Sequence, residues 1–124
     1  MSGLMENKRG LVMGVANDKS IAWGIAKAIS QEGGEIALTY QGDALKKRVI
    51  PLAESINSKI IIPCDVQSDQ NIDMAFEELK KTWPKIDFLV HAIAFSDKEE
   101  LKGDYVDTSR NNFINTMDIS VYSF

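Results

Sequence analysis

An α/β fold, a doubly wound parallel sheet covered by helices on both faces, is what this chain predicts, and three observations carry it. Four short apolar stretches alternate with helix-length segments along 124 residues. The first stretch passes through a glycine-bearing turn, Gly14-Val15-Ala16-Asn17-Asp18-Lys19-Ser20, straight into a helical pattern. No repeat, low-complexity tract or linker interrupts the alternation, so one domain is expected. Such β-α units imply parallel strands joined by right-handed crossovers.

In order, the first strand is read at 10–14, from Gly10-Leu11-Val12-Met13. The first helix, 20–32, places Ile21, Ile25 and Ile29 every fourth residue with Ala22 and Ala26 beside them, which predicts its buried stripe. Ser20 is its expected cap and Gly33-Gly34 its stop. A strand at 35–40 (Glu35 to Tyr40) leads to a helix at 43–57 capped by Asp43, which Pro51 is expected to kink or divide. After a strand at 59–62 comes a helix at 69–82, capped by Ser68 or Asp69, with Ile72, Ala75, Phe76 and Leu79 inward and Pro84 as its stop. The fourth strand is read at 86–91, the polar segment 96–108 as an exposed loop, and the last helix at 110–124.

Composition bounds the function class. Hydrophobic residues at 44% and charged residues at 26% suit a globular chain with a real core. No apolar run is long enough for a membrane span, and Met1 to Glu6 lacks the basic-then-apolar pattern of a secretory leader. Cys64 is the single cysteine, which excludes an internal disulfide and fits a reducing, cytoplasmic setting. A net charge of -4 gives no basic footprint for nucleic acid.

The chemistry gathers where strands end. A strand entering a helix through a glycine turn is the geometry that receives a phosphate, because the first helical N–H groups lack partners and carry partial positive charge. The turn departs from the plain G-x-G-x-x-G pattern, but Ser20 and Ala22 are small where backbone would meet phosphate. The alternative is an ordinary capped βα loop. After the second strand stands Tyr40-Gln41-Gly42, with neither an acid for a ribose 2′-hydroxyl nor a base for a 2′-phosphate. Gln41 can still bond a ribose hydroxyl, and Lys46, Lys47 and Arg48 leave NADPH open. Asp65, beyond the third strand, can accept a bond from an adenine amino group or simply cap a turn. Cys64 reads as buried filler and His91 as a structural residue extending an apolar strand. No cluster of ligands has metal spacing.

Taken together, Gly14-x5-Ser20-Ile21-Ala22-Trp23-Gly24, Thr39-Tyr40-Gln41, Cys64-Asp65-Val66, Trp83-Pro84-Lys85 and Asp118 to Phe124 resemble the NADH-dependent enoyl-acyl carrier protein reductases, of the short-chain dehydrogenase/reductase superfamily. The resemblance covers essentially the whole chain, and the long Gly-x5-Ser turn is specific to the enoyl reductase branch. It implies a Rossmann-type domain with NAD (NADH) held by Gly14, by Ser20 and Ile21 at the pyrophosphate, by Gln41 at the adenosine ribose, by Asp65 and Val66 at the adenine, and by Ile93. Ser96 matches a position near the acyl substrate. Where the family often has Ser-Ile-Gly-Phe, this chain has Ala92-Ile93-Ala94-Phe95.

The family's members run to about twice this length, and their catalytic tyrosine and lysine lie beyond the matched region. Tyr40 and Lys47 share the spacing of that pair but sit on the adenosine side, and Tyr105 and Tyr122 have no lysine at that interval. Residues 1–124 are therefore expected to be the NAD-binding N-terminal half of the domain, truncated to strand order 3-2-1-4, with an exposed fourth strand and no catalytic residue. The intact enzyme would reduce acyl-carrier-protein-linked 2-enoyl thioesters in fatty-acid biosynthesis as a homotetramer, and the fragment itself would be inactive. Two alternatives stand beside this: a non-catalytic nucleotide-binding or assembly module, and another short-chain reductase acting on a carbonyl.

Overall fold

The structure, a computed structural model, describes residues 3–124. They form two compact units, one ending at Ala92 and one running from Ile93 to Phe124.

The first unit is a parallel sheet of order β3-β2-β1-β4. Strand β1, Arg9–Met13, is central, pairing with β2, Glu35–Tyr40, and with β4, Phe88–His91, while β2 also pairs with β3, Ile60–Pro63. Helices α1 (Ile21–Gln31), α2 (Gly42–Ser55) and α3 (Asp69–Thr82) are the crossovers. Strands β1 and β2 are buried along all but their first residue, as strands covered on both faces must be. Leu11, Val12 and Leu38 are at most 1% exposed, each burial stabilising by roughly 1.5–3 kcal/mol.

The strand order is the expected one, and the boundaries shift for local reasons. β1 stops at Met13 because Gly14 takes a φ of 110°, which leaves the strand region. β4 begins at Phe88 rather than 86, preceded by a reciprocal tie. The Asp87 N–H donates to the Arg9 carbonyl (2.7 Å), and the Asp87 carboxylate accepts from the Arg9 N–H (2.9 Å). Gly10 is small for a reason: a Cβ there would stand 2.2 Å from the Phe88 ring.

Helix α1 corrects one expectation. Ile21 is 80% exposed, and Ala22, Trp23 and Ala26 form the buried face, with Ile25 and Ile29 half-buried. Small Ala22 and Ala26 let the backbone approach the sheet closely, so the stripe rotates toward Trp23 and carries Ile21 outward. Gly33 (φ 90°) ends the helix as expected, its N–H donating to the Ser30 carbonyl while Gly34 donates to Ile29. Helix α2 starts at Gly42 with Gln41 as its cap residue, so Asp43 lies in the first turn instead, and the helix runs unbroken past Pro51. Ser68 caps α3 as expected, accepting from the Asn71 N–H at 3.1 Å; Ala75 and Leu79 are buried, Ile72 and Phe76 half-buried.

In the second unit, short 3-10 turns at Lys98–Leu101 and Tyr105–Asp107 break up a segment that is otherwise as exposed as expected. The last helix is shorter than read: α4 spans Arg110–Met117 and widens into a π-helical turn over Asp118–Tyr122. Among the described residues, no helix is long and apolar enough to cross a membrane, and no group of side chains could hold a metal ion.

Candidate functional site

Parallel strands deliver their carboxyl ends to one edge of the sheet; Gly14 and Gln41 directly follow β1 and β2, and Asp65 lies two residues past β3. That edge is where a doubly wound sheet binds ligands.

The turn after β1 is organised by one hydroxyl. Ser20 occupies the cap position of α1, yet its Oγ bonds no helical N–H. It accepts instead from the N–H groups of Ala16 (3.0 Å) and Asn17 (3.1 Å), while Asn17 Oδ1 accepts from the Lys19 N–H (2.8 Å). Val15, 2% exposed, anchors the start of the turn in the core. Because the Ser20 oxygen accepts twice, its own O–H is left to donate outward. The N–H groups of Ile21 and Ala22 have no acceptor among the described residues, since the first helical bonds are those of Trp23 and Gly24 to the Ser20 carbonyl. Three donors thus stand without a partner among the described residues at the positive end of the α1 dipole, in a turn that opens with a glycine. This arrangement suits a phosphate.

Beyond β2, Gln41 is exposed, and its amide has no partner among the described residues; Gly42 beside it has a φ of 79°. Lys46, Lys47 and Arg48 are exposed on α2. Beyond β3, Asp65 takes the turn-closing role. Its Oδ1 accepts from the Gln67 N–H at 3.0 Å, closing a turn, and its second oxygen stays unpartnered among the described residues. Val66 is 5% exposed, which fixes the backbone that follows. Cys64 is buried, and burial first, then the Asp65 carboxylate, push its thiol pKa up, so it is a neutral core side chain. His91 is half-buried on β4, in register with Met13. Tyr40 is 8% exposed at the end of β2 while Lys47 is solvated on α2, so they form no catalytic pair.

Ile93 and Ser96 belong to the second unit, both half-buried. Ser96 sits in a network that sequence reasoning missed, centred on Asn112, which is 8% exposed on α4. Asn112 donates through Nδ2 to Ser96 Oγ (3.1 Å), and its Oδ1 accepts from the Asp97 N–H (2.9 Å) and from Thr116 Oγ1 (3.4 Å). The Glu100 carboxylate accepts from both the N–H and the hydroxyl of Ser109, each at 2.7 Å, closing the loop against the start of α4. The available signal was Ser109-x-x-Asn112, a cap followed by a polar residue at the third helical position. Burial of that asparagine is a tertiary fact the local sequence does not carry.

Comparison with known proteins identifies the family. The enoyl-(acyl carrier protein) reductase family model covers residues 14–124. The chain is 64% identical to the NADH enoyl-acyl carrier protein reductase 1 of Rhizobium meliloti over 99% of its own length and 45% of that protein. Crystal structures show the same fold. FabI of Candidatus Liberibacter asiaticus superposes with a TM-score of 0.98 at 52% identity, covering 100% of this chain and 48% of that one. The Anaplasma phagocytophilum enoyl-acyl carrier protein reductase, in complex with NAD, superposes at 0.95 with 56% identity, covering 99% and 47%. The chain therefore spans about half the length of the relatives it matches, and it belongs to the enoyl-(acyl carrier protein) reductase family.

Proposed function

We propose that this chain is the NADH-binding part of an enoyl-acyl carrier protein reductase that reduces 2-enoyl thioesters carried by acyl carrier protein in fatty-acid biosynthesis. One observation carries the reading: the Ser20 hydroxyl hydrogen and the N–H groups of Ile21 and Ala22 have no partner among the described residues at a helix start, in the turn that opens with Gly14. These residues fit the pyrophosphate of a dinucleotide. The free amide of Gln41 fits a ribose hydroxyl, and the second oxygen of Asp65, with the backbone of Val66, fits an adenine edge. Exposed Ile21 offers apolar contact beside the phosphates, and Ile93 is assigned to the nicotinamide side. Bound NADH supplies the hydride that adds to the enoyl double bond. Ser20 and the α1 N–H groups hold charge, Gln41 and Asp65 orient the adenosine, and Ser96 meets the acyl substrate. The complex of the Anaplasma relative with NAD supports the cofactor.

With no tyrosine and lysine paired as the family requires, these 124 residues bind the cofactor but do not protonate the enolate. The whole enzyme is read as a cytoplasmic homotetramer without nucleic-acid or membrane partners. A second reading, a nucleotide-binding assembly module, is favoured by β4 pairing on one side only and by exposed Phe113, Ile114 and Met117 on α4. A carbonyl reductase is disfavoured by the Gly-x5-Ser spacing. Mixing the chain with NADH and a crotonyl thioester tests the proposal: NADH fluorescence should change on binding while its absorbance stays constant. Turnover by the pure chain, or no binding at all, contradicts it.

A further inference from the structure

The hydrogen bonds around Asn112 fix the direction of the one formed by Ser96. The Asp97 N–H can only donate, so the Asn112 atom facing it at 2.9 Å is the carbonyl Oδ1, which also takes the Thr116 hydroxyl. The other atom is then the amide nitrogen, which can only donate, and Ser96 Oγ at 3.1 Å must accept. A hydroxyl that accepts from a buried amide keeps its own hydrogen for another partner, and no acceptor for it exists among the described residues. Asn112 is itself held: it is 8% exposed, and its N–H donates to Ser109 Oγ at 3.1 Å, with Ser109 clamped by Glu100.

We propose that Asn112 is a positioning residue that presents Ser96 as a hydrogen-bond donor to a carbonyl oxygen of the acyl-thioester substrate. The inference rests on the reading that Ser96 meets that substrate. Ser96 Oγ keeps one lone pair as well as its hydrogen, and the hydrogen is the group assigned to the ligand. The carbonyl is either that of the thioester or that of the amide in the pantetheine arm.

The test is a double-mutant cycle on the 124-residue chain, titrated with crotonyl-N-acetylcysteamine, which carries both carbonyls, and with ethyl thiocrotonate, which carries only the thioester. Asn112→Asp keeps an oxygen toward Asp97 but turns the Ser96 O–H inward to the new carboxylate. Ser96→Ala removes the donor. Each should weaken thioester binding by about fivefold, the scale of one hydrogen bond, and the double variant should be no weaker than either single one. NADH affinity should stay at its wild-type value in all three. A loss with both probes assigns the thioester carbonyl; a loss confined to the amide-bearing probe assigns the pantetheine amide. Wild-type affinity in Asn112→Asp, or losses that multiply in the double variant, overturn the positioning role. A wild-type chain that binds NADH but neither thioester overturns the substrate reading and this proposal with it, leaving the cofactor reading standing.

Discussion

Ser20 shows how one atom shapes the site. Its oxygen gathers two loop N–H groups that would otherwise be unpaired, so Ser20→Ala should cost roughly 1–2 kcal/mol of stability in chemical denaturation and lower NADH affinity about tenfold. Gly14 carries the backbone counterpart. At a φ of 110°, Gly14→Val is expected to cost about 1–3 kcal/mol, visible as a lower denaturation midpoint. Cys64 supplies the pH dependence. Burial and Asp65 raise its thiol pKa in the folded state, so folding favours the protonated form. That contribution is fully present below the thiol's unfolded pKa and is lost as pH rises through the folded one. Stability should therefore fall on the alkaline side in the wild type, and the fall should be smaller in Cys64→Ala, as read from denaturation midpoints across that range. At this scale the sequence was legible where a residue acts through its own backbone, as Gly14 and Gly33 do. It was not legible for Ile21, whose helical spacing fits a core stripe equally well, nor for Asn112, whose partners Ser96 and Asp97 come from another stretch of chain.

Among the elements, α2 departs most from expectation. Pro51 removes one backbone donor from the helix interior, yet the helix continues because Val49 and Ala53 on its inner face are fully buried. Packing overrides propensity there, and Pro51 itself is exposed. Pro51→Ala should thus raise stability, by about 1–3 kcal/mol in urea denaturation, without disturbing the core. All four strands and three crossover helices were readable, because apolar runs mark them locally; of the expected side-chain caps only Ser68 on α3 bonds a helical N–H. The end of the last helix was not, since nothing in Asp118 to Tyr122 distinguishes α from π winding. The fourth strand was read two residues too long, because the Asp87–Arg9 tie that precedes it joins residues far apart in sequence.

Over the whole molecule, the order β3-β2-β1-β4 leaves β4 paired on one side only, with Leu89 37% exposed. Strand order followed from the family resemblance, since local pattern alone does not say which strands are neighbours. The same order places the ends of β1, β2 and β3 at one edge, and this makes a dinucleotide the natural ligand. The central claim is that this edge holds NADH, and isothermal titration of the 124-residue chain with NADH, repeated on Ser20→Ala, measures it most directly. The account predicts one site per chain with affinity reduced about tenfold in the variant. Absence of heat of binding, or equal affinity in both proteins, would contradict it.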